Sequence, residues 1–394
     1  MAEPTRAAAL ARIAAFAPAM GELYADRRNH DHGPAAGDAL ARPNVSGLSP
    51  WLRHRLVHER EVIAAATADH GGAAEKFVQE VLWRGYFRGW LEQRPSVWRA
   101  YVEGRDAALD RLNANAGLRR AYDAAVAGRT GIDCFDAWIA ELTTHNWLHN
   151  HARMWLASIW IFTLRLPWEL GADLFMRHLL DGDAASNTLS WRWVAGLHTR
   201  GKAYAARAEN IRRYTGGRFD PRGLVEDVEP LDEAAEHPLV ALPAPGGAVM
   251  PGHALVVHDG EGLALPPALA HPPAIVIGLC APDRRSPAGV APAVAGFARG
   301  AVADMLARAE GLWGCPTAIA ATPDELHAAA AGRPLAAFRL PTGPEGDVWA
   351  AALAGALSVD DPYDRALWPL ATAGFFKVKQ KAPRALAPLG LALG

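Results

Sequence analysis

The chain has 394 residues, of which 51% are hydrophobic and 21% are charged, and its formal net charge is -2. This length suits two or three domains, and the composition excludes long disordered stretches and a globally basic nucleic-acid binder. The three cysteines, Cys134, Cys280 and Cys315, are widely spaced and form no CxxC pair. We therefore expect no iron–sulfur cluster, which needs four thiolates, and a reducing compartment, the cytoplasm.

Residues 1 to 230 are predicted to form a helical domain, because aromatic and aliphatic residues recur there at helical spacing. Eleven of the fourteen tryptophans precede residue 230. The N-terminal stretch contains Glu3 and two arginines and is not typical of a signal peptide. The most apolar run, 154–164, is shorter than the ~20 residues of a membrane-spanning helix, so we expect a buried helix and no membrane contact.

Two segments in the first hundred residues are candidates for a binding site. Ser49 before Pro50 predicts an N-cap, and free backbone N–H groups with nearby hydroxyls suit a phosphate; the alternative is an ordinary capped helix. Glu80 and Arg84 are four residues apart on one predicted helix face, with Trp83 beside them. These three side chains indicate either a ligand-facing helix or a surface ion pair next to a core tryptophan.

Two further segments place polar groups at the start of apolar helices. Asn150, Arg153 and Met154 lie on neighbouring turns of a helix that becomes wholly apolar, where polar groups need partners or a ligand. The segment from Asp181 to Trp193 combines acids, an amide and two indoles. Satisfied core polar groups explain the first segment equally well, and a metal loop or a turn is the alternative for the second.

The composition changes after the helical half. Residues 231–252 are rich in Pro, Gly and acidic residues and are predicted to be a linker. Residues 253–394 then alternate apolar runs with helical stretches, which predicts an α/β domain with a mainly parallel sheet. Strands are expected at 254–257, 274–279, 317–321 and 335–340, with a helix at 290–312. Another helix is expected after Thr322, which is predicted to be its N-cap, with Pro323 first in the helix and Glu325 reaching back to the cap. No Gly-rich nucleotide-binding fingerprint occurs in this part.

Together the segments of the first half resemble the FAD-binding domain of the DNA photolyase/cryptochrome family over about residues 20 to 215. The resemblance implies a mainly α fold, an all-helical FAD-binding domain followed by a smaller Rossmann-like α/β domain. The motifs that carry it are Tyr24 followed by Arg28, SxLSP at 46–50, ExxWR at 80–84, GxTG at 128–131, WxHN followed by RM at 147–154, and DGDxAxN followed by WxW at 181–193.

The resemblance implies that FAD is the cofactor and assigns residues to it. Arg153 and Asp181 would form an ion pair beside the flavin ring, and Asn187 would lie where an asparagine favours reduced flavin. Val45 stands where the family commonly has Thr, which removes one hydroxyl near the diphosphate. The full set of expected cofactor-binding residues is Tyr24, Ser46, Leu48, Ser49, Phe77, Arg84, Asn150, Arg153, Asp181, Asp183 and Asn187.

The resemblance also implies a light-driven lyase that repairs cyclobutane pyrimidine dimers, with UV-damaged DNA as the partner. The dimer would flip out of the helix and be held by Glu80, Trp83, Asn150, Met154 and Trp193. His151 replaces an arginine often found beside the asparagine. The double histidine of enzymes acting on 6-4 photoproducts is absent, because Asn150 follows His149.

Electron supply to the flavin is implied to use three tryptophans, of which Trp191 and Trp168 match the inner two. The outermost position has Ala125, and Tyr122, Trp138, Trp155 and Trp160 are all open as substitutes.

The position of the α/β part differs from that in the family, whose antenna domain precedes the flavin domain. Residues 290–340 and 374–379 resemble an antenna domain moved to the C-terminus; an unrelated Rossmann-like appendage is the alternative. No antenna pigment can be assigned, and we expect a monomer. Two other functions stay open: a cryptochrome-like blue-light photosensor without repair activity, and a flavin-free structural relic.

Overall fold

The computed structural model of the protein describes residues 2–35, 37–264, 269 and 271–393. The first half is helical, and Trp138, Trp155 and Trp160 are fully buried in its core. A π-helical turn, Ile159–Thr163, extends the ninth helix. The helices are α1 Arg6–Phe16, α2 Glu22–Arg27, α3 Ser49–Arg53, α4 Glu59–His70, α5 Glu75–Glu92, α6 Pro95–Ala114, α7 Ala116–Val126, α8 Asp133–His145, α9 Asn150–Ser158, α10 Trp168–His178, α11 Ala184–Val194 and α12 Ala208–Tyr214.

The second half is built on one parallel sheet of five strands. After α12 the chain has neither helix nor strand between 215 and 253, a stretch that the structure describes throughout. The strands are β1 Ala254–His258, β2 Ile275–Leu279, β3 Thr317–Ala320, β4 Leu335–Phe338 and β5 Leu357–Val359. The later helices are α13 Pro292–Trp313, α14 Pro323–Ala330, α15 Pro344–Trp349, α16 Pro362–Leu367 and α17 Phe375–Leu386.

The strand order is β3-β2-β1-β4-β5, which puts β1 at the centre. Ala254 of β1 pairs with Ile275 of β2 on one side and with Leu335 of β4 on the other. Alternate side chains of a strand point to opposite faces. Ala254 and Val256 accordingly belong to a core with α14 and α15, whereas Leu255 and Val257 belong to a core shared with the N-terminal helices.

The two halves therefore share one hydrophobic core, and buried ion pairs join them as well. Arg55, which is 1% exposed, donates to Glu261 after β1 and to Asp364 in α16, both at 2.7 Å. Arg53 donates to Glu345 at 2.6 Å. Because each charge is buried with its partner, removing one partner would cost about 3–5 kcal/mol of unfolding free energy.

Glycines in α5 allow the C-terminal segment to approach that helix. A Cβ at Gly85 would clash with Leu367 of α16, and one at Gly89 would lie 2.7 Å from Cα of Trp368. Only glycine leaves room for this contact, although it weakens a helix interior. The approach also brings Phe375 of α17 onto the ring of Trp83 in α5.

The mainly helical fold with a smaller parallel sheet is confirmed. The expected strands match β1 to β4, and the expected helices match α13 and α14. Thr322 accepts from the N–H of Glu325, as the capping pattern predicts, while the Glu325 carboxylate accepts from Ala321 rather than from Thr322. The sequence prediction missed β5 and the helical state of 375–386. In the residues that the structure describes, no helix combines the length and apolar character needed to cross a membrane.

Candidate functional site

A cavity of about 960 Å³ lies among α3, α5, α9, α11 and the start of α17. Its wall contains most of the residues that the sequence singles out. Fifteen of them line it: Tyr24, Ser46, Ser49, Phe77, Glu80, Trp83, Arg84, Asn150, Arg153, Met154, Asp181, Asp183, Asn187, Trp191 and Trp193. Leu48 and Trp168 do not; Leu48 is 1% exposed in the core beneath the wall.

One wall of the cavity presents a fixed cation beside an acceptor without a partner. The Arg153 guanidinium donates to Oδ2 of Asp181 at 2.8 Å and to the Leu148 carbonyl at 3.0 Å. Oδ1 of Asp181 is buried and has no hydrogen-bond partner among the described residues. A buried acceptor of this kind needs a donor, which a bound ligand would supply.

Asn187 is held on the same wall. Its side-chain N–H donates to the Ala172 carbonyl at 2.8 Å, which fixes the amide and leaves its oxygen for another partner. Asn187 is 8% exposed. The wall therefore offers a carboxylate oxygen and an amide oxygen, both suited to ligand N–H or O–H groups.

A buried charge network supports the floor of the cavity. Arg84 donates to Glu59 at 3.1 Å and lies 3.4 Å from Asp183. Asp183 also accepts from the N–H of Ser186 at 2.8 Å, which makes it the N-cap of α11. Burial by itself would raise the pKa of Asp183, but Arg84, Arg88 and Arg53 together lower it to about 2. Asp183 is therefore held as a carboxylate.

The end of the cavity near α3 carries hydroxyls and aromatic rings. The rings of Tyr24 and Phe77 meet edge to face, with centroids 5.0 Å apart. Ser49 accepts from the Trp147 indole N–H at 3.0 Å. The prediction that Ser49 caps the helix is wrong: Ser49 is the first residue of α3, and its hydroxyl is turned to Trp147. The contact of the Ser49 hydroxyl with Trp147 is the same whichever residue is taken as the first of the helix.

A second part of the cavity wall contains the residues expected to hold a flipped base, and the chain itself occupies some of this part. The rings of Trp83 and Phe375 stack with centroids 3.7 Å apart and planes 10° apart. Phe375 is the first residue of α17 and is 2% exposed. Trp193 stacks on Tyr204 at 5.2 Å. One face of each tryptophan is therefore already covered.

The polar residues of this wall remain accessible. Glu80 does not pair with Arg84, as the surface alternative would require, but lies 3.8 Å from Arg28. Burial raises the pKa of Glu80, and Arg28 offsets this only in part. Asn150 is exposed, and its side-chain nitrogen lies 4.0 Å from the Met154 sulfur.

Sequence reasoning missed the contribution of the C-terminal segment. Residues 373–376 line the cavity, and Phe376, the last of them, is 72% exposed. The signal available was the adjacent aromatic pair after Gly374, which the sequence prediction assigns to an antenna-like domain. Arg53 was also missed; it lines the cavity and donates to the Gly182 carbonyl at 2.9 Å.

The site is not arranged for a metal ion. In the described part of the chain no group of three or more His, Cys, Asp or Glu side chains is placed to hold one. The metal-loop alternative for the acids at 181–183 therefore gains no support. Asp181 and Asp183 pair with arginines instead.

Comparison with known proteins agrees with this geometry. Residues 77–225 match the family model for the FAD-binding domain of DNA photolyase. A deoxyribodipyrimidine photo-lyase of Streptomyces griseus is 35% identical over 193 residues, which cover 49% of this chain and 39% of that protein. One from Thermus thermophilus is 33% identical over 227 residues, covering 56% of this chain and 49% of that protein. The chain thus spans less than half the length of these relatives.

Among solved structures, a class III photolyase of Agrobacterium tumefaciens is 24% identical, with a TM-score of 0.43, over 54% of this chain and 43% of that one. The family model covers the helices α5 to α11, which include three of the helices that line the cavity, α5, α9 and α11. Residues 77–225 thus belong to the family of FAD-binding domains found in DNA photolyases.

Proposed function

We propose that this protein binds FAD in the cavity and uses light to split cyclobutane pyrimidine dimers in DNA. One observation carries the proposal: the five residues expected to contact a lesion line the same cavity as ten of the residues expected to hold the flavin. The two sets share α5, α9 and α11, and the flavin set also draws on α2, α3 and the segments beside them. A site for cofactor and lesion side by side is what electron transfer between them requires.

The residues present fit FAD. Arg153 with Asp181 would hold the ring edge, where the unpartnered Oδ1 of Asp181 accepts from a donor on the ring or the ribityl chain. Tyr24, Ser46 and Ser49 would hold the diphosphate end. Bound reduced FAD would supply, on absorbing light, the electron that splits the dimer. The protein would contribute binding, orientation and a fixed positive charge beside the ring.

Trp83 and Trp193 would then stack the flipped bases, and Glu80 would hydrogen-bond their carbonyl groups. Glu80 lines the cavity on the same helix as Trp83, one turn before it, which suits a hydrogen bond to a base stacked on that ring. Asn150 and Met154 would line the same position. Aromatic stacking of a base contributes about 1–3 kcal/mol, which helps to offset the cost of leaving the DNA stack.

The proposal is tested with flavin-loaded, chemically reduced protein and an oligonucleotide that contains one dimer. Illumination should restore the intact pyrimidines, measured by chromatography of the product. The variant Trp193→Ala should lose most of this activity, while Trp313→Ala, which removes a half-buried indole at the end of α13 and outside the cavity, should keep it. Flavin-loaded, reduced protein that binds the oligonucleotide and leaves the dimer intact under light would contradict the proposal.

A second function, blue-light sensing without repair, is favoured by the stacking of Phe375 on Trp83. In this arrangement one face of Trp83 is covered by the protein's own α17. A sensor would use light to change how α17 packs, and would pass that change to a partner. Faster proteolysis of the 370–386 segment under blue light, together with absent repair, would support the sensor over the repair enzyme.

The α/β half is proposed to be an antenna domain located after the flavin domain rather than before it. Its central β1 and the strand order β3-β2-β1-β4-β5 are compatible with this assignment. An unrelated Rossmann-like appendage would share the same features. A second chromophore that co-purifies with the protein and stays bound after FAD is removed would favour the antenna assignment.

A further inference from the structure

The electron path to the flavin has an unfilled outer position in this chain. By resemblance that position falls at Ala125, which is fully buried in α7 and has no redox-active side chain. Trp191 lines the cavity and is the residue from which an electron would reach the flavin. The contacts of Trp191 therefore decide which residue supplies the electron to Trp191.

Trp191 contacts Trp160 closely. Their ring centroids are 6.3 Å apart and their planes nearly perpendicular, at 85°. Gly171 of α10 makes the approach possible, because a Cβ there would clash with the Trp191 ring and lie 3.0 Å from Nε1 of Trp160. A glycine weakens a helix interior, so its presence at this contact is consistent with a need for close approach.

Trp160 in turn contacts Tyr122, with centroids 6.0 Å apart. The Trp160 N–H donates to the Pro167 carbonyl at 2.8 Å, which fixes the indole between the other two rings. Tyr122 lies three residues before Ala125, on the same face of α7. It is 7% exposed, and its hydroxyl is 3.5 Å from the Arg177 guanidinium.

The other candidate rings make contacts that do not connect them to Trp191. Trp138 and Trp155 stack on each other at 5.5 Å, but their N–H groups donate to Asp31 and Asn210. The next ring that Trp155 contacts is His151, and not Trp191 of the cavity. Trp168, the inner residue expected by resemblance, packs against Tyr101 with centroids 5.8 Å apart.

We propose that Trp191, Trp160 and Tyr122 form the electron path that reduces the flavin, with Tyr122 as the outer donor. Trp191 would donate one electron to bound, light-excited oxidised flavin, Trp160 would then reduce the oxidised Trp191, and Tyr122 would reduce the oxidised Trp160. Tyr122 releases its hydroxyl proton to water and becomes a neutral radical, a loss that the Arg177 charge favours. A soluble thiolate returns one electron, water returns the proton, and two thiyl radicals combine to a disulfide.

This proposal rests on the flavin binding of the proposed function, and not on repair. The experiment follows flavin photoreduction in purified, oxidised, flavin-loaded protein under blue light with dithiothreitol, together with the transient absorption spectrum. We expect a tyrosyl radical in the wild type. The tyrosyl radical should be absent in Tyr122→Phe. Flavin photoreduction should slow by about tenfold or more in each of the two single variants, Tyr122→Phe and Trp160→Phe.

The matched control is Trp155→Phe, which removes another fully buried indole of the same core and should photoreduce at the wild-type rate. Circular dichroism checks that all variants are folded. Wild-type photoreduction in both Tyr122→Phe and Trp160→Phe, or an equal loss in Trp155→Phe, would overturn the path. So would a protein that binds no flavin.

Chemical reduction separates this proposal from the proposed function. Dithionite supplies electrons to the flavin directly, so reduced Tyr122→Phe should repair dimers as the reduced wild type does. If reduced wild type fails to repair while Tyr122 still controls photoreduction, the repair proposal fails and the electron path stands.

Discussion

The two walls of the cavity differ in how ready they are for a ligand. The wall with Arg153, Asp181 and Asn187 holds its polar groups in fixed hydrogen bonds and leaves one buried acceptor unpartnered. On the other wall Trp83 is already covered by Phe375. The first wall, the open wall, is preorganised for a cofactor that stays bound. On the second, the closed wall, a base can reach the covered face of Trp83 only by displacing Phe375. The comparison separates the residues proposed to hold the flavin from those proposed to control the access of a base to the cavity.

The largest effect is expected from removing the Phe375 ring in the closed wall. Phe375→Ala removes a ring that is 2% exposed, so the free energy of unfolding should fall by about 3–5 kcal/mol. Binding of dimer-containing DNA should become tighter, because Trp83 loses its internal competitor. Chemical denaturation and fluorescence anisotropy measure the two quantities.

The matched control for this change is Phe135→Ala, which removes a fully buried ring of α8 that does not line the cavity. It should lose a similar amount of stability without any gain in DNA binding. Unchanged or weaker DNA binding in Phe375→Ala would contradict competition between Phe375 and a base.

The open wall is tested by Arg153→Ala. The change leaves the Asp181 carboxylate buried without its cation, and we expect flavin affinity to fall by about 100-fold, or about 3 kcal/mol. Fluorescence titration of the apoprotein with FAD measures this. Arg129→Ala, at an exposed arginine outside the cavity, should bind FAD normally. Equal affinity in both variants would show that the Arg153 pair does not hold the cofactor.

Acid should lower the free energy of unfolding by protonating Asp183 in the buried charge network of the cavity floor. Asp183 has its pKa lowered to about 2 in the folded protein, so its stabilising contribution is present above about pH 4 and is lost as the pH falls toward 2. The contribution is about 2 kcal/mol at most, from a shift of roughly two pKa units. Unfolding followed between pH 5 and pH 2 measures it, and Asp183→Asn should show a flatter dependence. Identical pH profiles would rule out this role for the carboxylate.

The smallest expected effect is at Glu80 on the closed wall. Glu80→Ala removes the hydrogen bond to the base carbonyls, so repair should slow by about tenfold, a change of about 1.4 kcal/mol, with flavin content unchanged. Single-turnover repair after a light pulse measures it. A loss of flavin in this variant would assign Glu80 to the cofactor wall instead.

The open wall could be predicted from the sequence and the closed one only in part. Arg153, Asp181 and Asn187 belong to motifs on consecutive segments, α9 to α11, whose spacing brings them to one side of a helical core. Phe375 meets Trp83 only because Gly85 and the neighbouring Gly89 let the C-terminal segment approach α5. Contacts between such distant segments depend on tertiary packing, which no local pattern encodes.

The same limit applies to smaller features. The pairing of Glu80 with Arg28 rather than Arg84 is decided by which helices pack together, not by helical spacing. The contact of Trp160 with Trp191 depends on Gly171, a residue that the sequence prediction did not use. By contrast, the strands β1 to β4 could be located because each is a short apolar run bounded by turn residues.

One measurement tests the central claim most directly: flavin content and dimer content followed in the same illuminated sample. The account predicts that the purified protein carries close to one FAD per chain and that, once the flavin is reduced, light lowers the dimer content with many turnovers per chain. A flavin-loaded sample whose dimer content stays constant under light would contradict repair. A colourless protein that FAD cannot reconstitute would contradict the cavity assignment itself.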